Sequence, residues 1–183
     1  MCLESGNRPA GQGRFLTRIL AQYPVVLDLA TYVSLNKWFG VSNLTNMSNH
    51  QAIIRAFYEG IWNKHDKSQI PELLHEDFSF RGSLGQERHG HAGFAAYVDF
   101  VHTALSDYRC EIQEMIAEGN KAFARLLFSG MHRAEFFGYQ PTGKRVEWVG
   151  AAVFTFAGEK ISALWVLGDI HGLLQQLANN ARP

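Results

Sequence analysis

An excess of charge of either sign is missing: 17 Lys and Arg balance 17 Asp and Glu over 183 residues. With no net field and no basic stripe interleaved with aromatics, nothing gathers nucleic acid or an acidic membrane, and neither is expected as a partner. Cysteine is nearly absent. Cys2 lies in a tail and Cys110 inside a strand pattern, and a single pair is neither a disulfide framework nor a metal motif. A buried free thiol at Cys110 and a reducing, cytoplasmic setting are expected. Long hydrophobic runs are missing too. The apolar stretch from Phe15 to Val41 is interrupted by Arg18, Asp28 and Lys37, too often to cross a bilayer. It also lacks the charged start, apolar centre and cleavage site of a secretory leader. There is no Gly-rich phosphate cradle, nucleophile elbow, His-Glu-x-x-His or Cys–His spacing, so no cofactor and no metal is expected.

What remains is ordinary globular material, 46% hydrophobic and 19% charged, enough for one domain with a proper core. Residues 1–46 read as an N-terminal extension, partly helical or not native, and Met47 as the natural start. Residues 47–183 read as the domain. Ser48 followed by Gln51 is a capping-box pattern that opens a helix. Ile54, Phe57, Tyr58, Ile61 and Trp62 then recur at helical spacing. A short helix is predicted over 68–75, with Pro71 in its first turn, and a third over 91–105, with Phe94, Tyr97, Val98 and Val101 on one side. Phe78 to Arg81 alternates as a strand, and 82–90 reads as a loop.

From Tyr108 onward the period becomes two. Strands are predicted over 108–117, 121–132, 144–156 and 160–168, with tight turns at Gly119 and Gly158. A loop with Gly138, Pro141 and Gly143 interrupts them, and a helix over 169–178 closes the chain. Helices followed by a run of hairpins predict an α+β fold.

Several segments, in order, resemble the SnoaL-like polyketide cyclase family of the NTF2-like superfamily. They are Phe57-Tyr58-Glu59-Gly60-Ile61-Trp62-Asn63-Lys64, Leu74-His75-Glu76-Asp77-Phe78, Phe128-Ser129-Gly130-Met131-His132 and Pro141-Thr142-Gly143. Trp165, Asp169 and Gly172 to Leu177 complete the set. The resemblance covers about Ser48 to Ala178. It implies a cone: a curved antiparallel sheet wrapped by three helices, a short C-terminal helix, a pocket between them, and a homodimer or homotetramer. It also implies cofactor-free ring closure by a general acid–base aspartate with polar helpers.

In this chain the position matching that aspartate falls on Val166. The helpers fall on Gly150, Ala152 and Phe80. None of the four can move a proton, so the cyclase mechanism does not carry over. Strand alternation puts Trp148, Gly150, Ala152 and Phe154 on one face, and Leu164, Val166 and Gly168 on one face of the next strand. Tyr58, Trp62, Phe80, Trp148, Gly150, Ala152 and Val166 therefore either wall a pocket for a small hydrophobic molecule or pack the core.

The remaining acid–base candidates are His132, which either serves a ligand or steadies the neighbouring loop, and Asp169, which either titrates near Trp165 or caps the last helix. Arg81 points away from Phe80 and reads as an ion pair or loop anchor more readily than as a carboxylate clamp. Glu147 and Arg145 read as a solvated or dimer-facing pair. His89, His91 and the His75-Glu76-Asp77 run form no ligand set. Val149, Ala151, Val153, Trp165 and Leu167 make the opposite sheet face apolar as well, so a second subunit is expected to cover it. Three functions stay open: a small-molecule cyclase, isomerase or hydrolase; a non-catalytic carrier; and a dimeric interaction module.

Overall fold

The computed structural model describes residues 41–83 and 85–182. Cys2 and residues 1–40 of the predicted extension lie outside the described residues. Among the described residues four α-helices and six strands follow one another. Helix α1 (Val41–Ala56) runs directly into a π-helical segment (Phe57–Asn63). A 3₁₀ turn (Lys67–Gln69) and α2 (Ile70–Leu73) lead into β1 (Leu74–Arg81) and β2 (Glu87–His89). Then come α3 (Gly90–Ala104), β3 (Leu105–Glu118), β4 (Lys121–His132), β5 (Arg145–Ala157), β6 (Lys160–Gly168) and α4 (Ile170–Asn180). None of the described helices is long and apolar enough to cross a membrane.

The helical period delivers what it predicts. Ile54, Phe57, Tyr58, Ile61 and Trp62 are all buried. Ser48, however, does not start the helix. α1 (Val41–Ala56) passes through Met47 and Ser48. Extending an existing helix is easier than nucleating one, so an internal capping pattern does not stop it. The π-helical turns that follow lie beside Gly60, where a Cβ would collide with the Gln69 side chain. That side chain donates to Asp66 at 2.8 Å. Asp66 also caps the 3₁₀ turn by accepting from the Ser68 amide.

The strands form one curved sheet in the order β2-β1-β6-β5-β4-β3. β3 to β6 are antiparallel neighbours, as the hairpin signals predict. Glycines at positive φ, Gly119 and Gly158, open two of the turns. The sheet is not antiparallel throughout, contrary to expectation. β1 pairs parallel with β6, which makes it mixed. The 82–90 loop also contains β2, paired antiparallel with the end of β1. β1 and β6 come together only after the chain has laid down three hairpin strands between them, so no local pattern reports their direction.

The concave face carries the core. Phe94 of α3 is fully buried and its ring meets Phe57, Trp62, Phe78 and Phe80, with centroids 5.0–5.9 Å apart. Offset and edge-on contacts of this kind add to simple burial. The helical layer is also tied to the edge of the sheet by polar contacts. The Asn63 amide donates to the Cys110 carbonyl (3.2 Å) and accepts from the Cys110 amide (2.8 Å). It stands in for a neighbouring strand where β3 is bulged on either side. Replacing Phe94 with alanine removes the one ring common to these contacts. We expect a loss of about 3–5 kcal/mol in denaturant unfolding; a loss below about 1 kcal/mol would show that the helices are held otherwise.

Candidate functional site

Between the concave face and the helices lies a cavity. Tyr58 and Trp62 of the π-helical segment and Tyr97 and Val101 of α3 form its helical wall. Phe80, Tyr108, Phe128, Trp148, Leu164 and Val166 form the sheet wall, and Ser83 and Phe136 reach it from loops. The space amounts to about 450 Å³ with its mouth included, but the centre of a water-sized sphere reaches only about 30 Å³ of it. It is a narrow slot between rings, with room for a water or two, and an organic molecule enters only as those rings move apart.

Strand pairing explains the sheet wall. Phe128 and Trp148 are cross-strand partners with ring centroids 5.3 Å apart. Val166 follows two residues after Leu164 on the same face of β6, and both are buried while Trp165 and Leu167 are exposed. Gly150 has a different role from the one expected. It does not line the cavity, because the Phe128 ring lies over it where a Cβ would sit. Ala152 is fully buried beneath the cavity, opposite Val166 in register. Five of the seven expected pocket residues thus reach the cavity: Tyr58, Trp62, Phe80, Trp148 and Val166.

No lining residue is charged. Burial pushes the Tyr58 and Tyr108 phenols well above their ordinary pKa, and the neighbouring Cys110 thiol pushes the same way. Both are therefore neutral hydroxyls at physiological pH. Cys110 is itself free, buried and shifted upward by burial. Two polar atoms of the wall, Tyr58 Oη and Trp148 Nε1, are buried with no hydrogen-bond partner among the described residues. Behind the wall, His102 stacks on His65 with centroids 4.0 Å apart and packs edge-on against Tyr108. Desolvation holds its pKa down, with the His65 ring as the next cause. His65 in turn shares the Asp99 carboxylate with Lys67, at 2.9 and 2.6 Å.

Neither acid–base candidate reaches the cavity. His132 is fully buried at the end of β4, with Nδ1 3.2 Å from the Thr142 hydroxyl in the following loop. Asp169 is exposed and caps α4 by accepting from the Gly172 amide at 2.9 Å. Arg81 donates to the Val166 carbonyl at 3.0 Å and lies over the Trp165 ring. Arg145 donates to the Ser129 hydroxyl, while the Glu147 backbone is bracketed by the Gln176 amide. His91 Nε2 lies within hydrogen-bond reach of the Leu74 and His75 carbonyls. Among the described residues no three His, Cys, Asp or Glu side chains converge as a metal site would need.

Tyr97, Val101, Tyr108, Phe128 and Leu164 also line the cavity, beyond the residues expected from sequence pattern. Phe128 had a usable signal, because it faces Trp148 in the alternation of two adjoining strands. Ser83 and Phe136 sit on loops, where no period points inward.

The pattern of the SnoaL-like polyketide cyclase family matches residues 52–177. The chain belongs to that family. Its fold is shared with solved structures. AclR from Streptomyces galilaeus is 25% identical, with 73% of this chain covering 98% of that one at a TM-score of 0.64. A SnoaL-like polyketide cyclase from Agrobacterium tumefaciens C58 is 19% identical, covering 70% and 97% at 0.61. A protein with a ketosteroid isomerase-like fold from Catenulispora acidiphila, solved with trimethylamine, is 13% identical, covering 69% and 92% at 0.60. No curated protein matches the chain.

The buried phenols make stability depend on alkaline pH. In the unfolded chain tyrosine ionises near pH 10; in the fold Tyr58 and Tyr108 keep their protons to higher pH. Their contribution is complete below about pH 10 and is lost as pH rises through the folded values. Urea midpoints should fall from about pH 9 to 11, and a Tyr58→Phe, Tyr108→Phe double variant should fall less steeply. Parallel slopes would place these hydroxyls in water.

Proposed function

We propose that the chain binds a small, neutral, largely apolar organic molecule in the ring-lined cavity and does so as a carrier or binding protein. One observation carries this reading: a buried slot enclosed by aromatic and aliphatic side chains holds no carboxylate, imidazole or ammonium. Apolar burial supplies affinity, and a few polar atoms supply orientation. Acid–base turnover is the second reading, and family membership favours it. It needs a group beside the ligand that can take up a proton near neutral pH, and burial keeps the wall's Tyr58 and Tyr108 protonated there. His132 and Asp169 both stand off the wall, and the matched positions hold Val166 and Phe80 on the wall and Ala152 and Gly150 beneath it.

The test is native mass spectrometry of the purified protein, followed by titration with N-phenyl-1-naphthylamine. Saturable fluorescence that Val166→Phe weakens at least tenfold supports the cavity as the site. Binding unaffected by Val166→Phe moves the site elsewhere. Recovery of a bound molecule in chemically altered form would favour the enzyme.

The same proposal includes a second subunit. The convex face exposes Ile116, Phe123, Val149, Val153, Trp165 and Leu167, each more than a third accessible. Phe123, Val153 and Trp165 stand in one cross-strand row. Exposed apolar area of this extent favours self-association in a cytoplasmic protein. Sedimentation velocity at micromolar concentration should give a dimer or tetramer, and Val153→Lys should give a monomer. A wild-type monomer would remove this part of the reading.

A further inference from the structure

Outside the cavity, a cluster of titratable groups is packed against its wall. The His65 ring lies on the His102 ring, with centroids 4.0 Å apart and planes within 4°. Trp62 stacks on His102 too, at 6.4 Å and 20°, and Tyr108 meets the ring edge-on at 5.4 Å. Trp62 and Tyr108 both line the cavity. His102 thus joins a partly exposed histidine to two rings of the wall.

The backbone is shaped around this stack. His65 follows the π-helical segment that carries Tyr58 and Trp62, and its φ of 56° is a left-handed conformation uncommon outside glycine. Its Nε2 lies 2.9 Å from the Asp99 carboxylate, which also takes Lys67 at 2.6 Å. Asp99 is already matched by that lysine and offers little to a cation on His102.

His102 is poorly placed to carry a proton. Its Nε2 is buried, with no hydrogen-bond partner among the described residues. On a neutral ring that edge is a lone pair lacking a donor. On a charged ring it becomes the N–H of a cation lacking an acceptor, which costs far more. Tyr108 is kept neutral by burial and supplies no counter-charge. Desolvation, and then the His65 ring, hold the His102 pKa down, against a hydrogen bond to the Trp62 backbone and the Asp99 charge. The packed arrangement is therefore fully favoured above about pH 6.5, where a free histidine is neutral, and loses that advantage as pH falls through the lowered value.

We propose that the His65–His102 stack is an acid-operated latch on the helical wall of the cavity. When His102 takes up a proton the rings part, the turn at His65 leaves its left-handed conformation, and Trp62 is freed to move off the slot. A molecule held there is then released. Only this last step rests on the reading of the cavity as a ligand site.

The full-length protein without ligand is titrated from about pH 7.5 to 5 while the tryptophan indole N–H resonances are followed in ¹H–¹⁵N spectra. The Trp62 resonance should move with a midpoint below about pH 6.5. In His102→Phe, which keeps a ring in the stack but cannot charge, it should stay still. In His65→Gln, which removes the neighbouring ring, the midpoint should rise toward the ordinary histidine value. A still Trp62 in the unaltered protein, equal movement in His102→Phe, or an unchanged midpoint in His65→Gln overturns the latch. N-phenyl-1-naphthylamine, uncharged over this range, reads the release. Its affinity should fall about tenfold across the titration in the unaltered protein and less than about twofold in His102→Phe. Movement of Trp62 with pH-independent probe binding keeps the latch and removes the cavity as the probe's site. If His102→Phe does not fold, the His65→Gln midpoint decides.

Discussion

The concave face of a bent six-stranded sheet has to be kept from water, and large rings fill the space between it and the helices. Phe57, Trp62, Phe78 and Phe80 all meet Phe94, and Tyr108, Phe128 and Trp148 continue the layer along the sheet. Rigid planar groups meeting at offset and edge-on angles do not tile space as branched aliphatics do. The residual slot beside Val166 is a product of that packing. The core and the cavity are therefore one structure, and the same side chains stabilise the fold and enclose the site.

Two small residues tune this layer. Gly150 leaves room for the Phe128 ring where a Cβ would sit, and that ring packs on Trp148. Gly168, its partner across the strands, lets the Trp148 nitrogen edge and the Ser83 side chain both approach the strand, where a Cβ would meet them. The polar groups within the layer stay uncharged because burial holds their protons in place. The ionisable cluster of His65, Lys67 and Asp99 sits behind the wall, with Trp62, His102 and Tyr108 between it and the slot. Charge is thus arranged around the hollow and kept out of it. The chain keeps the fold of the SnoaL-like family while its slot carries no charged side chain.

Much of this is legible in the residues alone, and the limits have physical causes. The 3.6-residue spacing from Ile54 to Trp62 and the alternation through β3–β6 report burial directly, because each is a one-dimensional record of one face. Asp169 reads as a cap for the same local reason, and so it proves. The parallel β1–β6 pair is not legible, since its two strands meet only through tertiary closure. β2 is three residues long and largely solvent-facing, so it has no apolar period to announce it. Gly150 shows the subtler limit. A missing side chain marks space, but only the fold decides whether a ligand or a neighbouring ring takes it. His132 shares its strand face with Phe128, yet lies four residues further along, beyond the slot. Alternation tells which face a residue occupies but not how far the cavity extends along it.

The aromatic layer leaves an apolar hollow beside Val166, Phe80 and Trp148. Xenon is the most direct reporter, because it enters dry apolar cavities of roughly atomic size without hydrogen bonding. Crystals of the protein pressurised with xenon should show one strong peak within contact of those three side chains, and Val166→Phe should erase it. A peak elsewhere only, or a hollow already filled by ordered water bound to several polar atoms, would contradict the account.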